Sequence, residues 1–495
     1  MASRCLSTIA LSLLAGCGDP NANDSATRPG DTAPADGTGT GTDPGDSSGD
    51  AADTTASVDT GSTTGVGTDF DPQFVIEQAN TAIANTPGLA VAVVYQGEVV
   101  FAEGFGVADD AGNAVATDTL FNLASCSKIV TAMTVLSLRD EGALTLDTPV
   151  PQIVPSFALR TGFDPASITI RHLLTHTSGI GDWPTEPFVE VDGLLDSFVS
   201  NGNQPLWAEP GAVWNYSNRG FTLAGLVAAS ADGGSFAGAV ASRVLTPLGM
   251  PHATMDASIA ATRTFARGHA QGQGWVGPLL LAGESLQPSA GLWASAEDLG
   301  PLVRALATGH ADGIADGTLA EMASPQAPTL EWPGAHYGYG LFVDEGAAPV
   351  LVSHGGSISG YLTDIQVVPE LGFGVAVTTN GDTWNPGEMT YAIVDHYAGP
   401  IEFPAVDPTP LTLGSIPGAW YDQWQLGHIT ITDTGSGLEI AFTDFGKTFP
   451  LERYSEVAFS TTHPQDGVQF EIVVWPDAEG NARWLVSRAG VAAKL

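Results

Sequence analysis

Positive charge is what this 495-residue chain has least of. Lysine and arginine number 16 against 55 aspartates and glutamates, giving a formal net charge of −39. That balance excludes nucleic acid as a partner, since phosphates are neutralised by lysine and arginine, and it leaves no basic patch for anionic lipid. Only three residues are lysine: Lys128, Lys447 and Lys494. Cysteine is as scarce, at Cys5, Cys17 and Cys126. Two of these lie at the extreme N-terminus, so the remaining body holds one thiol and no internal disulfide. The apolar run near the N-terminus is too short to span a membrane.

What is present at that end reads as an export signal. Residues 1–17 combine Arg4, an apolar stretch and small residues before Cys17. Leu14-Ala15-Gly16-Cys17 resembles a bacterial lipobox, in which cleavage leaves Cys17 as a lipidated N-terminus. An ordinary signal peptide cut nearby is the alternative. Residues 18–69 follow with ten Asp, one Arg and almost no large apolar side chain. Such a segment cannot bury enough surface to fold and reads as a flexible acidic tether. Gly45-Asp46-Ser47-Ser48-Gly49 fits G-x-S-x-G by accident, because no strand precedes it and no helix follows.

From residue 70 the composition turns globular, and the length suits about two to four domains. Residues 70–84 predict an amphipathic helix, and 89–95 and 98–102 an antiparallel hairpin turning at Gln96-Gly97. Residues 145–300 read as mostly helices and loops, rich in Pro and Gly. Strand patterns resume at 337–343, 350–353, 361–368 and 372–378, and a helix closes at 388–397. Strands at both ends with helices between predict one sheet built from distant segments, carrying an inserted helical lobe. A connector from residue 404 leads to short alternating strands, a small antiparallel β domain over 404–495 forming a partial barrel. The expected domains are therefore 1–17, 18–69, 70–403 and 404–495.

The chemistry concentrates at Phe121-Asn122-Leu123-Ala124-Ser125-Cys126-Ser127-Lys128, read as a loop entering a helix. Residues i and i+3 share a helix face, so the Ser125 hydroxyl and the Lys128 amine can meet. A serine attacks only when a neighbouring base takes its proton, and a lysine serves as that base only when its surroundings lower its pKa. The plain alternative is a solvated lysine beside a capping serine; the scarcity of lysine argues against it. Cys126 is either a redox-sensitive thiol or a small buried residue.

Two further stretches offer partners. Tyr216-Ser217-Asn218 supplies a phenol for proton transfer and an amide to hold the lysine. Its alternative is a packed aromatic and a turn asparagine. His354-Gly355-Gly356-Ser357 follows a strand, and its glycines let backbone approach a ligand closely. The N–H groups near Ser357 and of Ser125 could form an oxyanion hole. A tight turn with a surface histidine is the alternative there. His172 and His176 stand at i, i+4, a metal-like spacing, but with no third ligand in view the pair reads as capping or packing.

Together Ser125-Cys-Ser-Lys128 (S-x-x-K), Tyr216-Ser-Asn218 (Y-x-N) and His354-Gly-Gly356 (in the place of K-T-G or H-x-G) resemble the serine β-lactamase and penicillin-binding-protein superfamily. The branch is that of class C β-lactamases, D-alanyl-D-alanine carboxypeptidases and related esterases. Leu144–Asp147, Ile170–Gly179, Leu245–Met250 and Ala290–Asp298 carry the likeness further, over about residues 70 to 400. The resemblance implies an α/β (α+β) transpeptidase-like fold, with a mixed antiparallel sheet, flanking helices and an all-helical lobe.

It also implies that Ser125 attacks a carbonyl while Lys128 and Tyr216 move protons. Asn218, His354, Gly355, Gly356 and Ser357 would bind substrate and oxyanion. No metal or cofactor is implied. The expected protein is an exported lipoprotein of the bacterial cell envelope, cleaving a small amide or ester: a D-Ala-type peptide, a simple ester or a β-lactam. A catalytically silent wall-peptide binder is the alternative. Histidine in place of lysine in the third motif removes a fixed charge for a substrate carboxylate, which argues against efficient β-lactam hydrolysis.

Overall fold

The computed structural model describes residues 70–159, 163–181, 206–277, 283–405, 416–423, 426–455, 457–464, 467, 469–487 and 490–495. The leader, Cys17 and the segment 18–69 lie outside the described residues, as does most of the connector after residue 405.

The first helix, α1 (Pro72–Ala82), begins where Asp71 accepts a hydrogen bond from the Gln73 N–H and Pro72 takes the first turn. Val75, Ala79 and Ala82 recur at helical spacing and are its buried face. The strands β1 (Gly88–Tyr95) and β2 (Glu98–Gly106) form the expected hairpin. Six more strands complete their sheet, the first five being β3 (Ala327–Pro328), β4 (Ala335–Tyr337), β5 (Phe342–Asp344), β6 (Leu351–Ile358) and β7 (Tyr361–Val368). With β8 (Phe373–Thr379), the order is β2-β1-β8-β7-β6-β5-β4-β3, every neighbouring pair antiparallel.

One expectation needs correcting here. Residues 337–343 do not form one strand, because Gly340 adopts φ +75° and the chain folds back into the β4–β5 hairpin.

The sheet is covered on both faces, and the twofold period of its strands divides the apolar residues between two cores. On β1, Ala90, Ala92 and Val94 join the core shared with the helical lobe, while Leu89, Val91 and Val93 join the one under the terminal helices. The second core is closed by α1 and by the helix that ends this part of the chain (Gly387–Tyr397). Each large apolar side chain so buried contributes about 1.5–3 kcal/mol.

The helical lobe is built on α2 (Ser127–Asp140) and α3 (Asn218–Asp232). Helix α2 is buried on nearly every face, so its polar members satisfy themselves internally. Thr134 donates to the Val130 carbonyl at 2.8 Å and Thr131 to the Pro288 carbonyl at 2.7 Å. The helix stops at Glu141, with Gly142 at φ +80° beyond it.

Eight further strands form the C-terminal barrel: β9 (Gly418–Asp422), β10 (Gly427–Asp433), β11 (Leu438–Phe442), β12 (Lys447–Arg453), β13 (Ala458–Thr462), β14 (Gln469–Pro476), β15 (Ala482–Ser487) and β16 (Gly490–Lys494). The barrel closes fully, since Trp420 pairs with Lys494 and Tyr421 with Ala493. Alternate residues such as Ile429 and Ile431, or Ile440 and Phe442, are buried. They fill the interior together with Trp420, Phe459, Ile472 and Val474. Leu330, at φ +61° between β3 and β4, packs against this same interior from the hydrolase-like part.

Candidate active site

Ser125 does not sit in α2 itself. It lies in a single 3₁₀ turn (Ala124–Cys126) that feeds the helix, and Lys128 follows as the helix begins. The turn is entered under tension: Ala124 takes φ +47°, a left-handed conformation unusual for a residue with a Cβ. Its N–H is held by the Asn122 side chain at 2.8 Å, and its carbonyl accepts the Ser127 hydroxyl at 2.6 Å. The Ser127 oxygen accepts in turn from the Leu292 N–H at 2.8 Å. Buried neighbours thus fix the turn that presents the partly exposed Ser125.

The Lys128 amine is buried and held by three oxygens. It donates to Ser125 Oγ at 3.2 Å, to Asn218 Oδ1 at 2.7 Å and to the Ser289 carbonyl at 2.9 Å. Nζ also lies 4.8 Å from the centroid of the Tyr216 ring. Ser125, Tyr216 and Asn218 therefore meet around the Lys128 amine, so the four residues of S-x-x-K and Y-x-N come together, Asn218 as the first residue of α3.

Tyr216 is placed by an element whose role the sequence hid. His176, buried and at φ +58°, accepts from the Ser217 N–H through Nδ1 at 3.0 Å, while its own carbonyl accepts from the Asn215 N–H at 2.8 Å. Its ring lies 4.3 Å from that of Tyr216 and 4.6 Å from that of Tyr337. His172 is employed separately: its Nδ1 accepts from the Thr169 N–H at 3.2 Å and caps a short helix (Ile170–Leu174). Burial, with Arg171 adding to it, lowers the His172 pKa.

The third stretch runs along β6. His354 is 1% exposed, so it is no surface histidine. Its Nε2 pairs with the Tyr337 hydroxyl at 3.1 Å and its Nδ1 lies 2.7 Å from the Gly355 carbonyl. Gly356 passes so close to the 3₁₀ turn that a Cβ there would lie 2.3 Å from the Leu123 carbonyl and 3.2 Å from the Ser125 nitrogen. Ser357 is exposed and registers with Leu362 across β7. The Cys126 thiol donates to the His354 carbonyl at 3.2 Å, and burial pushes its pKa well above the usual range, so it stays protonated and tethers the turn to β6.

Known proteins share this architecture. The family described as Beta-lactamase matches residues 76–398. Esterase EstB of Burkholderia gladioli is 40% identical over 179 residues, 32% of this chain and 45% of the esterase, so the chain spans less than half of that relative's length. Penicillin-binding protein 4 of Amycolatopsis lactamdurans is 29% identical over 314 residues, 60% of this chain and 81% of its own. Among solved structures, SurE superposes with a TM-score of 0.67 at 22% identity, over 86% of this chain and 98% of SurE. The octameric penicillin-binding protein homologue of Pyrococcus abyssi gives 0.58 at 22% identity, over 85% and 98%. These last two likenesses speak for the fold, barrel included. The match over residues 76–398, about two thirds of the chain, places it in the Beta-lactamase family.

Proposed function

We propose that the chain hydrolyses a small ester or amide through an acyl-enzyme on Ser125, and that it prefers substrates without a free carboxylate beside the scissile bond. One observation carries the reading: the buried Lys128 amine is 3.2 Å from the Ser125 hydroxyl and 4.8 Å from the Tyr216 ring centroid. As Ser125 Oγ attacks the carbonyl carbon, its proton passes to the Lys128–Tyr216 pair. The oxyanion forms beside the Ser125 N–H and the β6 backbone near Ser357, where one good donor is worth about 3 kcal/mol of barrier. The leaving alcohol or amine takes the proton, and water then attacks the acyl group with the same pair as base.

The preference follows from His354. A lysine in its place would offer a permanent charge to a carboxylate, whereas the His354 ring is buried and engaged by Tyr337 and the Gly355 carbonyl. Simple esters therefore rank ahead of D-Ala-type peptides, and β-lactams come last. The reaction takes place outside the cytoplasm, with the protein exported and anchored through a lipid on Cys17; the Leu14–Cys17 box and the composition of 18–69 support this.

The test is turnover of a short-chain p-nitrophenyl ester beside a penicillin, each with the wild-type chain and with Ser125→Ala, following absorbance and intact mass. Ester hydrolysis that vanishes in Ser125→Ala, with slow or no penicillin adduct, is the expected result. Neither turnover nor adduct in the wild type would point to the silent wall-peptide binder instead.

A further inference from the structure

The C-terminal barrel carries none of the residues assigned to the reaction, yet it reaches the stretch that bears Tyr216. Around that stretch the chain is extended at Ser217 (φ −137°, ψ 110°), which places successive side chains on opposite sides. Trp214 and Tyr216 share one side, in a cluster with Ala327 and Tyr337. Trp475 of β14 packs against that cluster. Asn215 points the other way and is buried. Its Nδ2 donates to the carbonyl of Ser487, at the end of β15, at 2.7 Å.

The contact continues along the chain. Trp207, Ala208 and Val213 form one buried cluster with Val486 and Val491 of the barrel, again with Trp475 packed on it. The Ser487 end is itself braced, because its hydroxyl accepts from the Gly490 N–H at 3.1 Å where β16 starts. From the far side, His176 holds the amides of Asn215 and Ser217. Tyr216 is thus the middle residue of a three-residue span, clamped by the helical lobe on its backbone and by the barrel through the side chain next to it.

We propose that the barrel is a working part of the hydrolase, with Asn215 and Trp475 as positioning residues that keep the Tyr216 phenol over Lys128. The inference rests on the reading of Tyr216 as a proton-moving group. A buried hydrogen bond between side chain and backbone across two parts of a chain fixes register as well as orientation. Proton transfer depends steeply on such placement: a displacement of about 1 Å can cost up to about 100-fold in rate. The role predicted is on kcat, since both residues act on the Tyr216 stretch and neither is among the residues assigned to the reaction.

The test uses the full chain and the short p-nitrophenyl ester, with kcat, KM and thermal melting measured for Asn215→Ala, Trp475→Ala, Trp475→Phe and Ile440→Val. Ile440 lies in the barrel interior on β11, three strands from β14 and its Trp475, so its variant reports what simple loosening of the barrel does. The expected result is a fall in kcat of about 10-fold or more for Asn215→Ala and Trp475→Ala with KM nearly unchanged. Trp475→Phe should recover part of the loss, and Ile440→Val should melt earlier yet keep its kcat. Wild-type kcat in both alanine variants, or losses in all variants that merely track melting temperature, would overturn the proposal. A wild type whose ester turnover survives Ser125→Ala would instead sink the acyl-enzyme reading, and the proposal with it.

Discussion

At the scale of single residues, the site depends on close approach more than on rare side chains. Lys128 is isolated in the sequence and fully employed in the structure, with Ser125, Asn218 and the Ser289 carbonyl around one nitrogen. Gly356 matters for what it leaves out. The substitution Gly356→Ala would drive a methyl to 2.3 Å from the Leu123 carbonyl, one residue before the strained Ala124. Overpacking of that kind costs about 1–3 kcal/mol. Because the backbone that must yield carries Ser125, ester turnover should fall further than the denaturation midpoint suggests; the two are measured side by side. Turnover reduced only in line with stability would show that the strand and the turn need no such closeness.

Between elements, the sheet holds a titrating group that the chemistry does not use. Asp364 on β7 is buried against the closing helix, where Thr390 and Gln366 donate to its carboxylate. Burial outweighs those donors and pushes its pKa up from 3.8 to about 6. A raised acid is favoured folded when protonated, so its contribution is complete below about pH 4 and is lost as pH rises toward about 6. Two units correspond to about 3 kcal/mol at most. Asp364→Asn should therefore flatten that part of the stability curve and leave the protein more stable than wild type at pH 7, by chemical denaturation across pH 4–8. A curve unchanged by the substitution would assign the pH dependence elsewhere.

The same scale shows where the sequence spoke clearly. Spacing alone brought Ser125 and Lys128 together, and apolar periodicity marked β1, β7, β8 and the closing helix within a residue or two. Those signals are local. The 337–343 run misled because alternation cannot register a glycine at φ +75°. The bond from Asn215 to Ser487 joins residues 272 apart, and no pattern near either one announces it. His176 was legible as a packed histidine, but its hold on the Tyr216 stretch exists only once two distant segments meet.

Taken as a whole molecule, the protein is an acidic domain of the Beta-lactamase family joined to a filled barrel, with a long low-complexity segment before them. Its charge of −39 keeps it from anionic surfaces, so durable membrane association should need the lipid proposed for Cys17. Cys17→Ser expressed in a bacterial host should lose fatty-acid labelling and move to the soluble fraction. Labelling that persists in the variant would refute the anchor.

Molecules crowded side by side face a hazard that dilute ones escape, the pairing of one sheet's open margin with the next. Here β16 closes back on β9, so the barrel offers no such margin. The eight-stranded sheet ends on one side at Ala327–Pro328, too short to extend and with a proline that has no N–H to give. On the other side it ends at β2, where Glu98 and Glu103 stand exposed. A neighbouring copy approaching that strand meets like charge before it meets backbone, so many copies can crowd together without seeding a fibre.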